Sequence, residues 1–262
     1  MSSYDFILDN IRFSYSAIST YNTCPYAYKL NYIDSMPRIN NFFAEYGLLV
    51  HECFEKFFGG EMEPYELSGY YEEEFNKRVV TAPPIFLSNL DYKYRVQGKA
   101  FFDSFSFDKS AYDILILEDK IDFKVKGIKL VAKPDLVLKE IETGKIIQYD
   151  YKTSTPFRID KYTGKEIADN SKLKGYYKQM FIYAYALRHK MKMPLEKTIL
   201  LFTRLKKEVE LPCSIEKEDE AIAWMIEGVK KIRADEEFLF DNSSSFFCNN
   251  LCGVRESCEF KG

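Results

Sequence analysis

The chain lacks the features that would place it in a membrane or on a secretory route. No apolar run reaches the ~18 residues of a transmembrane helix, so none is expected. The stretch from Met1 to Asn10 has neither the basic start nor the apolar centre of a signal peptide. The expected location is the cytoplasm, or a host's cytoplasm for a viral protein. No Walker motif is present, so any nucleotide-driven motor must be a separate chain. There is no internal repeat and no low-complexity linker. A basic excess is also missing. Lys and Arg number 37 against 40 Asp and Glu, a formal charge of −3. This excludes a surface coated in positive charge but leaves room for a local basic groove.

What is present suits one large domain, or a core with a helical appendage. The chain has 262 residues, 46% of them apolar, enough for a real core. Its 20 Tyr and 22 Phe are foremost packing residues, with a few available to stack on bases. Six cysteines, Cys24, Cys53, Cys213, Cys248, Cys252 and Cys258, are unevenly spread. In a cytosolic chain they are expected to be reduced or metal-bound rather than paired as disulfides.

The first part reads as helices. Ser16 is a plausible N-cap, and Pro25 kinks the opening helix or splits it in two. Further helices are expected over 44–58, ended by Gly59-Gly60, and around 65–80 and 89–107. The period then changes. Residues 112–118, 121–125, 128–138 and 145–152 read as a meander of strands, with turns at Lys126-Gly127 and Thr143-Gly144. A helix over 172–190, strands at 198–203 and 208–212, and a helix over 217–238 complete the order. The fold class is α/β, with a helical region at 16–108, a core at 109–212, and a C-terminal helix plus cysteine cluster at 213–262, all within a single domain 1–262.

The chemistry-bearing stretch is Lys133-Pro134-Asp135 followed by Asp150-Tyr151-Lys152. Side chains two apart on a strand share a face, so Asp150 and Lys152 point one way while Tyr149 and Tyr151 point the other. If the two strands pair, Asp135 joins that face. Two carboxylates can hold Mg²⁺ or Mn²⁺ through oxygen, the ion activates water, and a nearby Lys supports the charge on a phosphate in the transition state. An isolated Asp-x-Lys is common on solvated strands. Here apolar residues frame it, and burying such charges needs a reason.

This pattern resembles the signature of the PD-(D/E)XK nuclease superfamily, and within it the RecB-like branch. Gly47-Leu-Leu-Val-His51 resembles that branch's upstream helix with its metal-binding His. Gln179-Met-Phe-Ile-Tyr183 resembles its Gln-x-x-x-Tyr motif, and the segment from Ser16 to Cys24-Pro25 resembles the opening of its iron–sulfur members. The resemblance runs from about Ser14 to Cys258 and implies a restriction-endonuclease-like core. It implies that His51, Asp135, Asp150 and the Tyr151 carbonyl ligate metal, that Lys152 is catalytic, and that Gln179 and Tyr183 contact DNA. It implies a [4Fe-4S] lobe like those of the AddB nuclease domain and CRISPR-associated RecB-like exonucleases, on Cys24, Cys248, Cys252 and Cys258. The three residues between Cys248 and Cys252 depart from the two usual in that group, and zinc also accepts four thiolates. Cys53 and Cys213 read as small buried hydrophobes. Glu118, on an earlier strand, could assist the site, but a solvated residue at a strand end is the first reading. Lys172, Lys174, Lys178, Arg204, Lys206 and Lys207 are candidates for a DNA-backbone groove, though each singly reads as a solvated side chain. The implied function is a metal-dependent DNA exonuclease acting at free or single-stranded ends. The alternatives are a nuclease subunit that depends on a helicase, recombination or CRISPR partner, and a non-catalytic DNA-end-binding module. The intact His51, Asp135, Asp150 and Lys152 set argues against the last.

Overall fold

The computed structural model describes residues 4–85, 89–241 and 245–261. Its first helices are α1 (Asp5–Asn10), α2 (Tyr15–Thr23) and α3 (Pro25–Tyr28), followed by α4 (Phe42–Phe58), α5 (Pro64–Arg78) and α6 (Leu90–Asp103). Ser14, not Ser16, caps α2, its side chain accepting from the Ala17 N–H at 3.1 Å. Pro25 does split the helix. It occupies the first turn of α3, where its missing N–H costs nothing, and the Cys24 sulfur accepts from the Ala27 N–H at 3.4 Å.

The strands are β1 (Tyr112–Leu117), β2 (Ile121–Val125), β3 (Ile128–Ala132), β4 (Leu136–Glu140), β5 (Ile146–Lys152), β6 (Phe157–Ile159) and β7 (Glu166–Ala168), then β8 (Lys197–Phe202) and β9 (Lys207–Pro212). Helix α7 (Asn170–Ala186) links β7 to β8, and α8 (Ile215–Ala234) and α9 (Ser245–Asn250) follow β9. Two expectations are corrected here. The run 128–138 is two strands, because Pro134 lacks an N–H for a ladder and breaks it, leaving Asp135 just before β4 rather than inside a strand. Nor is the sheet a simple meander. Its order is β1-β4-β5-β8-β9, and β2 and β3 form a separate hairpin that leaves between β1 and β4.

Strand β5 pairs antiparallel with β4 and parallel with β8, with α7 in the crossover between β5 and β8. Both faces of the sheet are covered. Leu136, Leu138, Tyr151 and Leu201 pack on one side against α4, α5 and α6. Val137, Leu200 and Phe202 pack on the other with α2, α7, α8 and the β2–β3 hairpin. This is why β4 and β8 are apolar at successive positions rather than alternating. No described helix is long and apolar enough to cross a membrane.

Candidate active site

Helix α4 starts at Asn41, whose side chain accepts from the Ala44 N–H at 3.0 Å. One stripe of α4 buries Tyr46, Val50, Phe54 and Phe57. His51 lies beside that stripe, half-buried and turned toward the end of β5. There Tyr151 has its ring stacked on Phe54 at 3.9 Å, while Gln148, on the opposite face, donates to the Met180 sulfur of α7 at 3.4 Å. The alternation places Asp150 and Lys152 on the α7 side, as strand periodicity requires.

The seven predicted site residues gather around this strand end. Asp135 is buried, its Oδ2 accepts from the Tyr151 N–H at 2.7 Å, and its Oδ1 lies 3.8 Å from His51 Nδ1. His51 Nε2 lies 3.2 Å from the Tyr151 carbonyl oxygen. Asp150 is buried, and its Oδ2 faces Lys152 Nζ at 2.5 Å as an ion pair. Among the described residues no well-directed hydrogen bond reaches that oxygen. Lys152 donates to Gln179 Oε1 at 3.0 Å, and Gln179 Nε2 donates to the Tyr183 hydroxyl at 2.8 Å.

The electrostatics follow from crowding charge away from water. Burial, and then repulsion from Asp150, push the Asp135 carboxyl up to about 7 against the pull of His51 and Lys152. Burial opposes charge on His51, but Asp135, the bond from Glu118 and Asp150 outweigh it and raise the imidazolium to about 9. Burial likewise works against the Lys152 ammonium, and Asp150 and Asp135 overcome it, so its pKa is raised. Buried, mutually repelling carboxylates beside an imidazole nitrogen and a carbonyl oxygen form a donor set suited to a hard divalent cation.

Glu118 is not the solvated residue that its sequence position suggests. It follows β1 at a φ of +54°, and its N–H donates to the Asp135 carbonyl at 2.9 Å. Its Oε1 lies 2.8 Å from His51 Nδ1, and Lys133 Nζ donates to its Oε2 at 2.5 Å. Ligand atoms of His51, Glu118 and Asp135 all lie within 4.8 Å of one another. With both oxygens of Glu118 engaged, the geometry suits it to orienting His51: a proton on Nδ1 leaves Nε2 on the side of the Tyr151 carbonyl. Tyr176 joins the site without having been expected there. Its ring lies 4.9 Å from Lys152 Nζ, and its hydroxyl hydrogen-bonds Ser154 Oγ. The sequence does carry a signal for it, since Tyr176, Gln179 and Tyr183 are three and four apart on one helical face. For Glu118 the sequence offers only its place on an earlier strand, and its approach depends on an unusual backbone turn.

The groove above these residues is lined by Tyr15, Tyr32, Arg38, Leu48, Lys120 and Lys133, among others. None of the six proposed groove cations after position 170 is among its lining residues. Lys178 sits over the Trp224 ring at 4.2 Å, Arg204 over Tyr94 at 3.5 Å, Lys206 donates to Ser104 Oγ at 2.8 Å, and Lys207 pairs with Glu166.

A family model of the PD-(D/E)XK nuclease superfamily matches residues 12–259. The chain belongs to that superfamily. No curated protein matches it. Among solved structures it is similar to a "Putative exonuclease" of Eubacterium rectale, at 13% identity over 90% of this chain and 88% of that one, with a TM-score of 0.48. It is also similar to a protein named SSO0001, at 16% identity over 82% of this chain and 96% of that one, with a TM-score of 0.36. In this superfamily member the Pro134-Asp135 and Asp150-Tyr151-Lys152 segments converge on one point.

The four clustered cysteines also converge. Cys24, Cys248, Cys252 and Cys258 line one small cavity, away from Cys53 and Cys213, and all six are free thiols. Cys53 is fully buried in α4, and Cys213 is partly exposed rather than the buried hydrophobe expected. Hydrogen bonds join the two ends of the chain around the cavity, with Ile39 N–H to the Gly253 carbonyl at 2.8 Å and Tyr26 N–H to the Leu239 carbonyl at 3.3 Å. Burial, followed by Cys24 and Cys258, raises the Cys248 thiol, and burial also leads in raising Cys252.

Proposed function

We propose that this protein is a metal-dependent DNA exonuclease that works from free or single-stranded ends. The observation that carries the reading is the gathering of His51, Glu118 and Asp135, whose ligand atoms lie within 4.8 Å of one another, with the Tyr151 carbonyl beside His51 Nε2 and the buried Asp150–Lys152 pair at the end of the same strand. On this reading Asp135, Asp150, the Tyr151 carbonyl and His51 would hold Mg²⁺ or Mn²⁺. When bound, such an ion activates a water and neutralises charge gathering on the phosphate. Lys152 is the catalytic Lys, supporting the phosphate oxygens as the water oxygen bonds to phosphorus and the P–O bond to the leaving nucleotide breaks. Gln179 and the Tyr176 ring fix the position of its ammonium, and Gln179 and Tyr183 meet the DNA. End-labelled linear and circular DNA, single- and double-stranded, incubated with Mg²⁺, Mn²⁺ or EDTA, tests the reading. Linear strands are degraded with metal and closed single-stranded circles resist. Rapid cutting of circles makes the enzyme an endonuclease, and full activity in EDTA removes the metal.

A second reading concerns the cysteines. Cys24, Cys248, Cys252 and Cys258 hold a [4Fe-4S] cluster that clasps the C-terminal segment to α3. Support comes from their shared cavity and from the chemistry of four thiolates, a ligand set that an iron–sulfur cluster and a tetrahedral zinc ion both accept. Anaerobic purification followed by iron, sulfide and zinc analysis decides between them.

A further inference from the structure

The β2–β3 hairpin is cleanly two-faced. Ile121, Phe123, Leu130 and Ala132 are buried in the core. The other face carries Asp122 opposite Val131 and Lys124 opposite Lys129. Like charges directly opposite on a strand pair destabilise it, so the fold alone gives no reason for Lys124 and Lys129 to face each other. Lys120 and Lys133 flank the same hairpin at its base, and both line the active-site groove together with Val131. Further out, Lys124 and Lys129 line a second recess with Arg12 and Lys190, where the one carboxylate is Asp122. Asp122 is paired with Arg12 at 3.4 Å.

Two properties distinguish this surface from an ordinary solvated face. First, most of its charge is uncompensated, with Arg12 on Asp122 and Lys133 on Glu118 the exceptions. Among the described residues Lys120, Lys124 and Lys190 pair with no carboxylate, and Lys129 donates to a main-chain oxygen, that of Asp9, at 3.0 Å. The other side of the groove is neutralised internally, with Lys56 on Glu61 at 2.8 Å and Arg78 on Glu52 at 3.0 Å. Second, it is continuous with the candidate active site, since one hairpin supplies both the groove wall and the recess. In a chain of net charge −3 this is a local positive track leading out of the groove.

We propose that the outer face of the β2–β3 hairpin, with Arg12 and Lys190, binds the phosphate backbone of the single-stranded nucleic acid whose end lies in the active-site groove. The proposal rests on the nuclease reading for its substrate. A five-residue strand spans ~17 Å at ~3.3–3.4 Å per residue. That covers a few phosphates of one extended strand, whose spacing exceeds the ~3.4 Å rise per phosphate along a duplex axis. The face is two strands wide, ~5 Å between them, which fits one backbone.

The test is equilibrium binding of fluorescent oligothymidylates in EDTA, using a short one confined to the groove and one longer by the hairpin's span. Lys124→Ala with Lys190→Ala is compared with the unaltered chain across a salt series. Both residues are exposed, and removing Lys124 relieves its repulsion with Lys129, so the melting temperature is expected to hold or rise. The expected result is weaker binding of the long oligonucleotide only, with its salt slope reduced by ~0.7 for each phosphate no longer neutralised. Mn²⁺-dependent cleavage of the short substrate stays unchanged. Equal affinity and equal slope for the long oligonucleotide in both proteins overturn the proposal. If the unaltered chain fails to cleave with Mn²⁺, the nuclease reading falls, and the binding comparison still decides the hairpin.

Discussion

Glu118 Oε1 lies 2.8 Å from Nδ1 of His51, held there by a left-handed backbone turn at φ +54° and a second bond from Lys133. A carboxylate that orients a ligand histidine without binding the ion shapes affinity more than chemistry. Glu118→Ala is expected to weaken Mn²⁺ binding by about 10–100-fold, as loss of such partners does. Titration calorimetry with Mn²⁺ checks this, and unchanged affinity removes the orienting role.

Lys152→Ala is expected to lower kcat by about 10²–10³, the usual cost of one transition-state donor, with DNA affinity nearly intact. Tyr176→Phe, which keeps the ring and loses the bond to Ser154, should cost far less than Tyr176→Ala. Single-turnover rates with binding measured in EDTA separate the two effects. An unchanged kcat in Lys152→Ala identifies a bystander.

Metal and pH should be coupled. In the metal-free chain His51 is raised to about 9, so its contribution to stability is complete below its unfolded value of about 6.5 and is lost as pH rises through 9. Asp135 is raised to about 7, so the folded state holds a proton there that the unfolded state does not, and stability falls as pH rises toward 7. Both effects weaken the metal-free fold on the alkaline side. Mn²⁺ displaces those protons, so the gain in Tm on adding it should be small below pH about 7 and grow toward 9. Thermal melts with Mn²⁺ or EDTA across that range check the sign, and a gain that shrinks with pH contradicts it.

Cys252→Ser is expected to remove the brown colour of anaerobic protein and to lower Tm. The loss is on the order of a few kcal/mol, as for opening a cross-link across a long loop. Visible absorbance and melting are the readouts. A colourless parent without metal, whose variant melts normally, ends the clasp reading.

Gly98 has no functional reading, only a packing one. A Cβ there would lie 2.2 Å from the hydroxyl of Tyr71, which is fully buried and donates to the Tyr94 carbonyl at 3.1 Å. Tyr71 has no room to retreat, so Gly98→Ala should destabilise by about 1–3 kcal/mol. A urea midpoint equal to that of the parent contradicts the close approach of α5 and α6.

Much of the fold and site is legible in the sequence because it is local. The alternation of Gln148, Asp150 and Lys152 against Tyr149 and Tyr151 follows from the pleat of one strand. Caps and apolar stripes locate the long helices to within a few residues. The illegible part depends on partners far along the chain. The pairing of β1 with β4 requires the hairpin to be set aside, and nothing in residues 121–132 announces that. Glu118 meets His51 across 67 positions through a turn that sequence does not mark. The cations near Arg204 look like a DNA groove by composition. In three dimensions aromatic rings and polar side chains on other elements take up several of them.

The stacking of Phe54 on Tyr151 has a consequence for reading mutational data. Tyr151 is held twice by α4: its carbonyl faces His51 while its ring is stacked at 3.9 Å on Phe54, one turn further along the helix. Phe54 is a core side chain with no polar group to offer the site, yet its stacking helps decide where the Tyr151 oxygen rests. In a saturation screen scored on cleavage, Phe54 should therefore group with the site residues. In one scored on abundance it should group with Phe57 and Phe102. The gap between those two scores at position 54 would measure how tightly the core sets the aim of the active-site strand.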